Sequence, residues 1–244
     1  ARLILTVSEY SRRDIVDVHG VSSARVRVAT EAPAEAFKPS TNHQQIEEIA
    51  AASGVPPGSR WFAYVGGFNP HKKVELIVRA HARYAHEVGA EFAPHLVLVG
   101  PIEGDGFHGA LDEIRIAIAR EGVEQLVHLP GFMPDEQLAI LLSGALGLVL
   151  VSAAEGFGLP AVEASACGCP VIATKESPLP ELLEGGGLFV SPNDEKALFD
   201  AIRLFSEDCD QRARFGRVAL ERTQLLSWPK AAGVALDALR EAAA

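Results

Sequence analysis

The 244-residue chain carries 22 Lys and Arg against 32 Asp and Glu, a net charge of -10 with histidine neutral, and 48% of its residues are hydrophobic. That acidic balance argues against a nucleic-acid partner, which would favour a basic patch, yet it leaves room for an anionic ligand held by glycine amides, a helix terminus and one lysine. No apolar run approaches the roughly 18 residues of a membrane span, and no leader is legible in the opening ARLILTVSEY.

In chain order, LILTVS (3–8), a short helical stretch and ARVRVA (24–29) form a strand-helix-strand unit. The Pro- and Ala-rich TEAPAEAFKPS (30–40) then reads as a linker. Beyond it, WFAYVGG (61–67), HLVLVG (95–100), LVHLPG (126–131), LGLVLVS (146–152), PVIAT (170–174) and GLFV (187–190) read as strands. They are short, rich in β-branched and aromatic residues, and several stop at glycine. Their near-continuous hydrophobicity predicts a parallel sheet covered on both faces. Helices are expected near 73–88, 109–122, 135–143, 160–167 and 193–207, and two more at the C-terminus, broken at Ser227-Trp228-Pro229. The expectation is an α/β protein: a doubly wound, Rossmann-like parallel sheet of about six strands with a helical tail. Cys167, Cys169 and Cys209 are an odd set that reads as reduced and cytoplasmic. Cys167-Gly168-Cys169 has no second pair with metal-ligand spacing, and reads as two small buried residues at a helix-to-strand turn.

The most informative stretch is EGFGLPAVEASACGCPVIAT (155–174). It predicts a strand end, a glycine loop, and a helix opened by Pro160 with Glu163 in its first turn. Amides there favour an anion, and Gly156 and Gly158 let a ligand approach the backbone. Two carboxylates flanking a phosphate site suit a sugar-diphosphate-ribose ligand. GFGLPA also fits the dinucleotide fingerprint, with Glu176 twenty residues after Gly156. That alternative, a Rossmann NAD-dependent oxidoreductase, leaves Glu155 and Glu163 unused and puts the fingerprint after three earlier strands.

This stretch, with GGGLFVSPNDEKALFDAI (185–202) after it, resembles the E-x7-E region of the retaining GT-B glycosyltransferases of family 4. YVGGFNPHKKVELIVRA (64–80) resembles their phosphate loop; HLVLVGP and VHLPGFMPDEQLAILLSGA resemble the next two strands. TVSEYSRRDIV and EAFKPS are similar to the end of the first domain and its linker, and SWPKAA to the entry of the last helix. The resemblance implies the C-terminal half of a GT-B fold: residues 1–38 as the tail of an N-terminal Rossmann domain plus linker, 39–226 as the nucleotide-sugar-binding domain, and 227–244 as a crossover helix.

It implies transfer of a hexose-type sugar from a nucleoside-diphosphate sugar to an acceptor, with retention and without cofactor or metal. Glu163 would bind the ribose and Glu155 the donor sugar, helped by the amides of Phe157, Gly158 and Leu159. Lys72, with Gly66 and Gly67, would hold the diphosphate. The base would lie at Gly131, Phe132, Met133 and Leu138. Many members carry Arg where this chain has Gly67; a replacement charge would have to come from Lys73 or His71. The implied partners are the donor and the N-terminal domain, with neither nucleic acid nor a transmembrane segment. The implied location is cytoplasmic, compatible with peripheral membrane association of the full-length enzyme. Without the first domain, the chain alone is expected to be inactive in transfer and prone to self-association. A stand-alone nucleotide-sugar-binding or regulatory module is the non-enzymatic alternative.

Overall fold

The computed structural model describes residues 1–102 and 108–243; Ala244, the last residue of the expected tail, lies outside them. Two sheets form. β1 (Ile4–Thr6) and β2 (Val26–Val28) pair in parallel through the crossover helix α1 (Glu9–His19). Ser8 caps α1, its side chain accepting from the Ser11 N–H, and Gly20 ends it in the left-handed region.

The second sheet holds β3 (Trp61–Val65), β4 (His95–Val99), β5 (Val127–Gly131), β6 (Leu148–Leu150), β7 (Val171–Thr174) and β8 (Gly187–Val190), all parallel. These are the six expected strands. Their spatial order is β5-β4-β3-β6-β7-β8, the doubly wound arrangement in which the winding reverses between the first strand of the body and the fourth. β3, β4, β6 and β7 run through the middle almost without solvent contact, which is why they read as unbroken apolar runs.

Helices cover both faces. α3 (Val74–Val88) packs between α4 (His108–Glu121) and α8 (Glu195–Glu207). α5 (Asp135–Gly144) packs between α2 (His43–Ala52) and α6 (Leu159–Ala166), which in turn meets α9 (Cys209–Thr223). The short α7 (Leu179–Leu182) precedes β8. The segment 30–40 carries no regular element but is not a free tether: Ala32 and Phe37 are buried, and Phe37 belongs to the main core.

α10 (Trp228–Ala243) has Pro229 in its first turn and lies along β2, not on the large sheet. Ala231 and Ala238 are its buried positions, and Arg27 forms a 2.8 Å ion pair with Glu241. Among the described residues no helix is long and apolar enough to cross a membrane.

Candidate functional site

Parallel doubly wound sheets bind ligands outside the carboxyl ends of their strands, at the point where the winding reverses. Here that point lies between β3 and β6. β3 runs into Gly66-Gly67, then a 3-10 turn at Pro70–Lys72. β6 runs into Ser152 and the loop to Gly158. The Ala153 N–H donates to the His71 carbonyl at 2.7 Å, so the backbone itself ties the two loops together.

Lys72 Nζ donates to Glu155 Oε1 at 2.7 Å, with the two side chains only 18% and 11% exposed. The same oxygen accepts the hydroxyl of the fully buried Ser152 at 2.5 Å. The Glu155 N–H donates to the Glu176 carbonyl beyond β7. Glu155 is thus fixed on its backbone and on its carboxylate, and charge-assisted bonds of this kind are the stronger class.

Glycines let three strand ends come together beside this pair. The Gly66 N–H donates to Val99, and the Gly100 N–H to Gly131. A side chain at Gly100 would place its Cβ 2.1 Å from the Gly66 carbonyl oxygen. The buried Tyr64 props the loop from below, its hydroxyl donating to the Gly67 carbonyl at 2.5 Å. Burial, followed by the nearby Glu155 charge, pushes the Tyr64 phenol well above its ordinary range, so it stays a donor. Lys73 adopts φ 52°, the only positive φ of a non-glycine among the described residues, and its ammonium is hydrogen-bonded to Asn193. His71 is exposed.

Gly158 caps α6 with φ +84°, where an added Cβ would stand 2.8 Å from Leu179. No hydrogen bond from the Phe157, Gly158 or Leu159 N–H is found among the described residues, as expected where a helix begins. α6 starts at Leu159, so Glu163 is its fifth residue and lies beyond the first turn. This corrects the expected first-turn placement and removes the helix dipole as the reason for a glutamate there. Glu163 is half-buried. Its carboxyl is pushed up to about 7, by burial first and then by the charges of Asp135 and Glu31. A carboxylate kept short of water and set near two others marks a place where a ligand could supply the missing donors.

At the end of β5, Gly131 takes φ +88° and Phe132 is 79% exposed, whereas Met133 and Leu138 are buried in the core. The side chains of Met133 and Leu138 therefore serve packing, which leaves Phe132 and Pro134 as the exposed residues of that loop.

The model of the family "Glycosyl transferases group 1" matches residues 45–222. The chain belongs to that family. A curated relative, the O-antigen chain mannosyltransferase B of Escherichia coli, is 27% identical over 229 residues, covering 93% of this chain and 58% of its own length. A solved sucrose-phosphate synthase from Thermosynechococcus elongatus superimposes with a TM-score of 0.84 at 27% identity, over 100% of this chain and 59% of that one. The Anabaena protein HepE, solved in complex with UDP-glucose, gives a TM-score of 0.82 at 22% identity over 100% of this chain and 64% of that one, a likeness of fold. The chain thus spans under two thirds of each.

As a group 1 glycosyltransferase domain, the chain brings Gly66, Gly67, Lys72, Glu155, Phe157, Gly158 and Leu159 to the carboxyl ends of β3 and β6. Glu163 stands on α6 facing the charges of Asp135 and Glu31. The dinucleotide fingerprint loses its footing, because GFGLPA follows β6 and not β3, the strand that opens this domain. Ser152, Tyr64 and Gly100 join the site without a motif to announce them; the only hint is that HLVLVG stops at glycine. A concavity of about 710 Å3, lined by Arg60, Phe92, His95 and Gln125 among others, lies at the amino ends of the strands, away from both glutamates. Cys167 and Cys169 are buried at the turn from α6 to β7, as expected.

Proposed function

We propose that the chain is the nucleotide-sugar-binding half of a retaining glycosyltransferase that moves a hexose-type sugar from a nucleoside-diphosphate donor to an acceptor. The observation that carries this reading is the Lys72–Glu155 pair seated between the glycine loops at the switch point of the sheet. Lys72 and the backbone N–H groups that follow Gly66, whose own N–H is taken by Val99, meet the diphosphate, and Glu155 receives hydroxyls of the donor sugar. The amides of Phe157, Gly158 and Leu159 support the sugar and the diphosphate. Glu163 receives the ribose hydroxyls, and the loop at Gly131, Phe132 and Met133 borders the base. HepE in complex with UDP-glucose is a fold relative whose ligand is of this class.

Cleavage of the sugar–phosphate bond leaves negative charge on the departing diphosphate. One ammonium and several preorganised amides stabilise that charge as it develops, so the reading calls for no metal. Relatives of which this chain spans under two thirds fit a site completed by a second domain, and the 244-residue chain alone is then expected to bind donor without transferring sugar. Titration calorimetry with UDP, GDP and ADP and their sugars, with and without EDTA, tests the reading. Binding by at least one of them in EDTA supports it; binding by none defeats it.

A further inference from the structure

We propose that Ser8 is a positioning residue for the donor loop: it captures the Gly156 carbonyl and thereby holds the Phe157 N–H turned toward the donor. This rests on the donor-site reading above. Ser8 lies on the small β1–α1–β2 unit, far from the loop in sequence, yet its hydroxyl donates to the Gly156 carbonyl at 2.7 Å. Ser11, one turn along α1, donates to the same oxygen at 3.2 Å.

The arrangement is specific. Ser8 is buried, and its oxygen already accepts the Ser11 N–H as the cap of α1. A hydroxyl has one proton, and of the two acceptors it faces, the Gly156 carbonyl at 2.7 Å is nearer than the Ser11 oxygen at 3.1 Å. The residue that caps α1 therefore also reaches the loop. Its neighbour Ser11 stands 3.1 Å away and supplies the second donor.

The consequence passes through one peptide unit. The Gly156 C=O and the Phe157 N–H belong to the same planar trans peptide and point in opposite directions; no cis bond occurs among the described residues. Fixing the carbonyl on Ser8 and Ser11 turns the N–H away from them. That N–H has no partner among the described residues, and it is one of the amides assigned to the donor. Gly156 is exposed, and a Cβ there would meet only the Ser11 hydroxyl at 3.6 Å. No side chain crowds Gly156 itself, and glycine leaves its backbone free to rotate. The two serines bond its carbonyl and so set the direction of the peptide from that side. Because they sit outside the six-stranded sheet, the position of the β1–α1–β2 unit is also transmitted to the loop.

The experiment is calorimetry on the 244-residue chain with UDP, GDP and ADP, each as diphosphate and as its glucose or mannose conjugate. Wild type is compared with Ser8→Ala, Ser11→Ala and Arg13→Ala. Arg13 ties the same helix to the body through Glu181 at 2.9 Å but does not touch the loop. With the ligand that wild type binds, Ser8→Ala is expected to weaken binding about five- to tenfold and Ser11→Ala about twofold, as for loss of one net hydrogen bond or part of one. Arg13→Ala is expected to leave binding unchanged while lowering the thermal midpoint. An unchanged Ser8→Ala overturns the proposal, and so does an Arg13→Ala loss as large as that of Ser8→Ala, which would assign the effect to docking of α1. Should Ser8→Ala fail to fold, Ser11→Ala against Arg13→Ala decides by the same comparison. Failure of wild type to bind any ligand of the panel defeats the donor-site reading and this proposal with it. Wild-type binding with indifferent serines defeats this proposal alone.

Discussion

Lys72 and Glu155 are joined at 2.7 Å across the two loops that leave β3 and β6, and Ser152 holds the same carboxylate oxygen from beneath. The ammonium therefore already has an anionic partner before any donor arrives. On the proposed reading, an incoming diphosphate would compete with Glu155 for it, and a sugar hydroxyl would take up the acceptor that is released. Glu155→Gln is accordingly expected to leave binding of the nucleoside diphosphate unchanged or tighter. The same variant should weaken the nucleotide sugar by about 1–3 kcal/mol, the range for hydrogen bonds to charged groups. Lys72→Met should weaken both ligands by a similar amount. Titration of each variant with both ligands checks this; equal losses for both in Glu155→Gln would show that Glu155 does not divide its role in this way.

Glu163 is expected to give the site a pH dependence. Its carboxyl is raised in the fold to about 7, above an ordinary value of 4.5. The folded state therefore binds the proton more tightly than the unfolded chain. The burial penalty is absent below the lower value and is felt increasingly as pH rises to the upper one, so this group's contribution to stability falls across that window. Glu163→Gln should remove the trend, and its thermal midpoint should gain on wild type at about pH 8 relative to about pH 5. Binding runs the opposite way. Ribose hydroxyls donate best to the ionised carboxylate, so affinity for a nucleotide sugar, whose diphosphate has no proton to lose here, should rise from about pH 6 to 8 in wild type and stay flat in Glu163→Gln. Calorimetry at both pH values checks the second half.

Gly100 packs directly against the Gly66 loop. An alanine there puts its Cβ 2.1 Å from the Gly66 carbonyl, a collision of backbone with backbone that no rotamer relieves. The expected result for Gly100→Ala is a destabilisation of about 1–3 kcal/mol, typical of overpacking, together with loss of diphosphate binding as the Gly66 peptide is displaced. Gly233 on α10 is the contrasting case. Nothing stands within 4 Å of its added Cβ, so Gly233→Ala should stabilise by about 0.5–1 kcal/mol through helix propensity. Thermal melts of both variants and calorimetry on the first test the pair.

The large sheet was legible because buried parallel strands such as β3 and β4 leave unbroken apolar runs. The two glutamates stand out in the sequence because they bracket a glycine loop at the mouth of a helix. α2 was not: Ile46 and Ile49 sit among glutamines, glutamates and alanines, a stripe too weak to stand out between a linker and a strand. Ser8, Ser152, Tyr64 and Gly100 were silent for a different reason. Each acts through one contact with a residue placed beside it by the fold, Gly156, Glu155, Gly67 and Gly66 respectively. No local period or motif encodes such a contact. Glu163 shows the reverse error, since placing the helix start one residue late made a half-buried second-turn carboxylate look like an ordinary first-turn one.

The last relationship to test is between α10 and its surroundings. Its small residues Ala231 and Ala238 turn inward and the helix lies against β2, so the two terminal segments do cover each other in part. The large side chains face out: Trp228 is 49% exposed, Leu236 48% and Leu239 63%, and Leu5 of β1 is also exposed. A helix with Ala231 and Ala238 buried and its leucines in water presents an apolar surface to solvent. At about 25 cal/mol per Å2, even a few hundred Å2 of such surface supplies several kcal/mol of drive toward association. The chain is therefore expected to self-associate as its concentration rises. The double variant Leu236→Lys, Leu239→Lys should return it to a monomer with little change in thermal midpoint, because exposed positions tolerate substitution. Light scattering coupled to size exclusion over a concentration series reads this directly. A wild-type chain that stays monomeric throughout would show that the outward face of α10 is no sticking surface in solution.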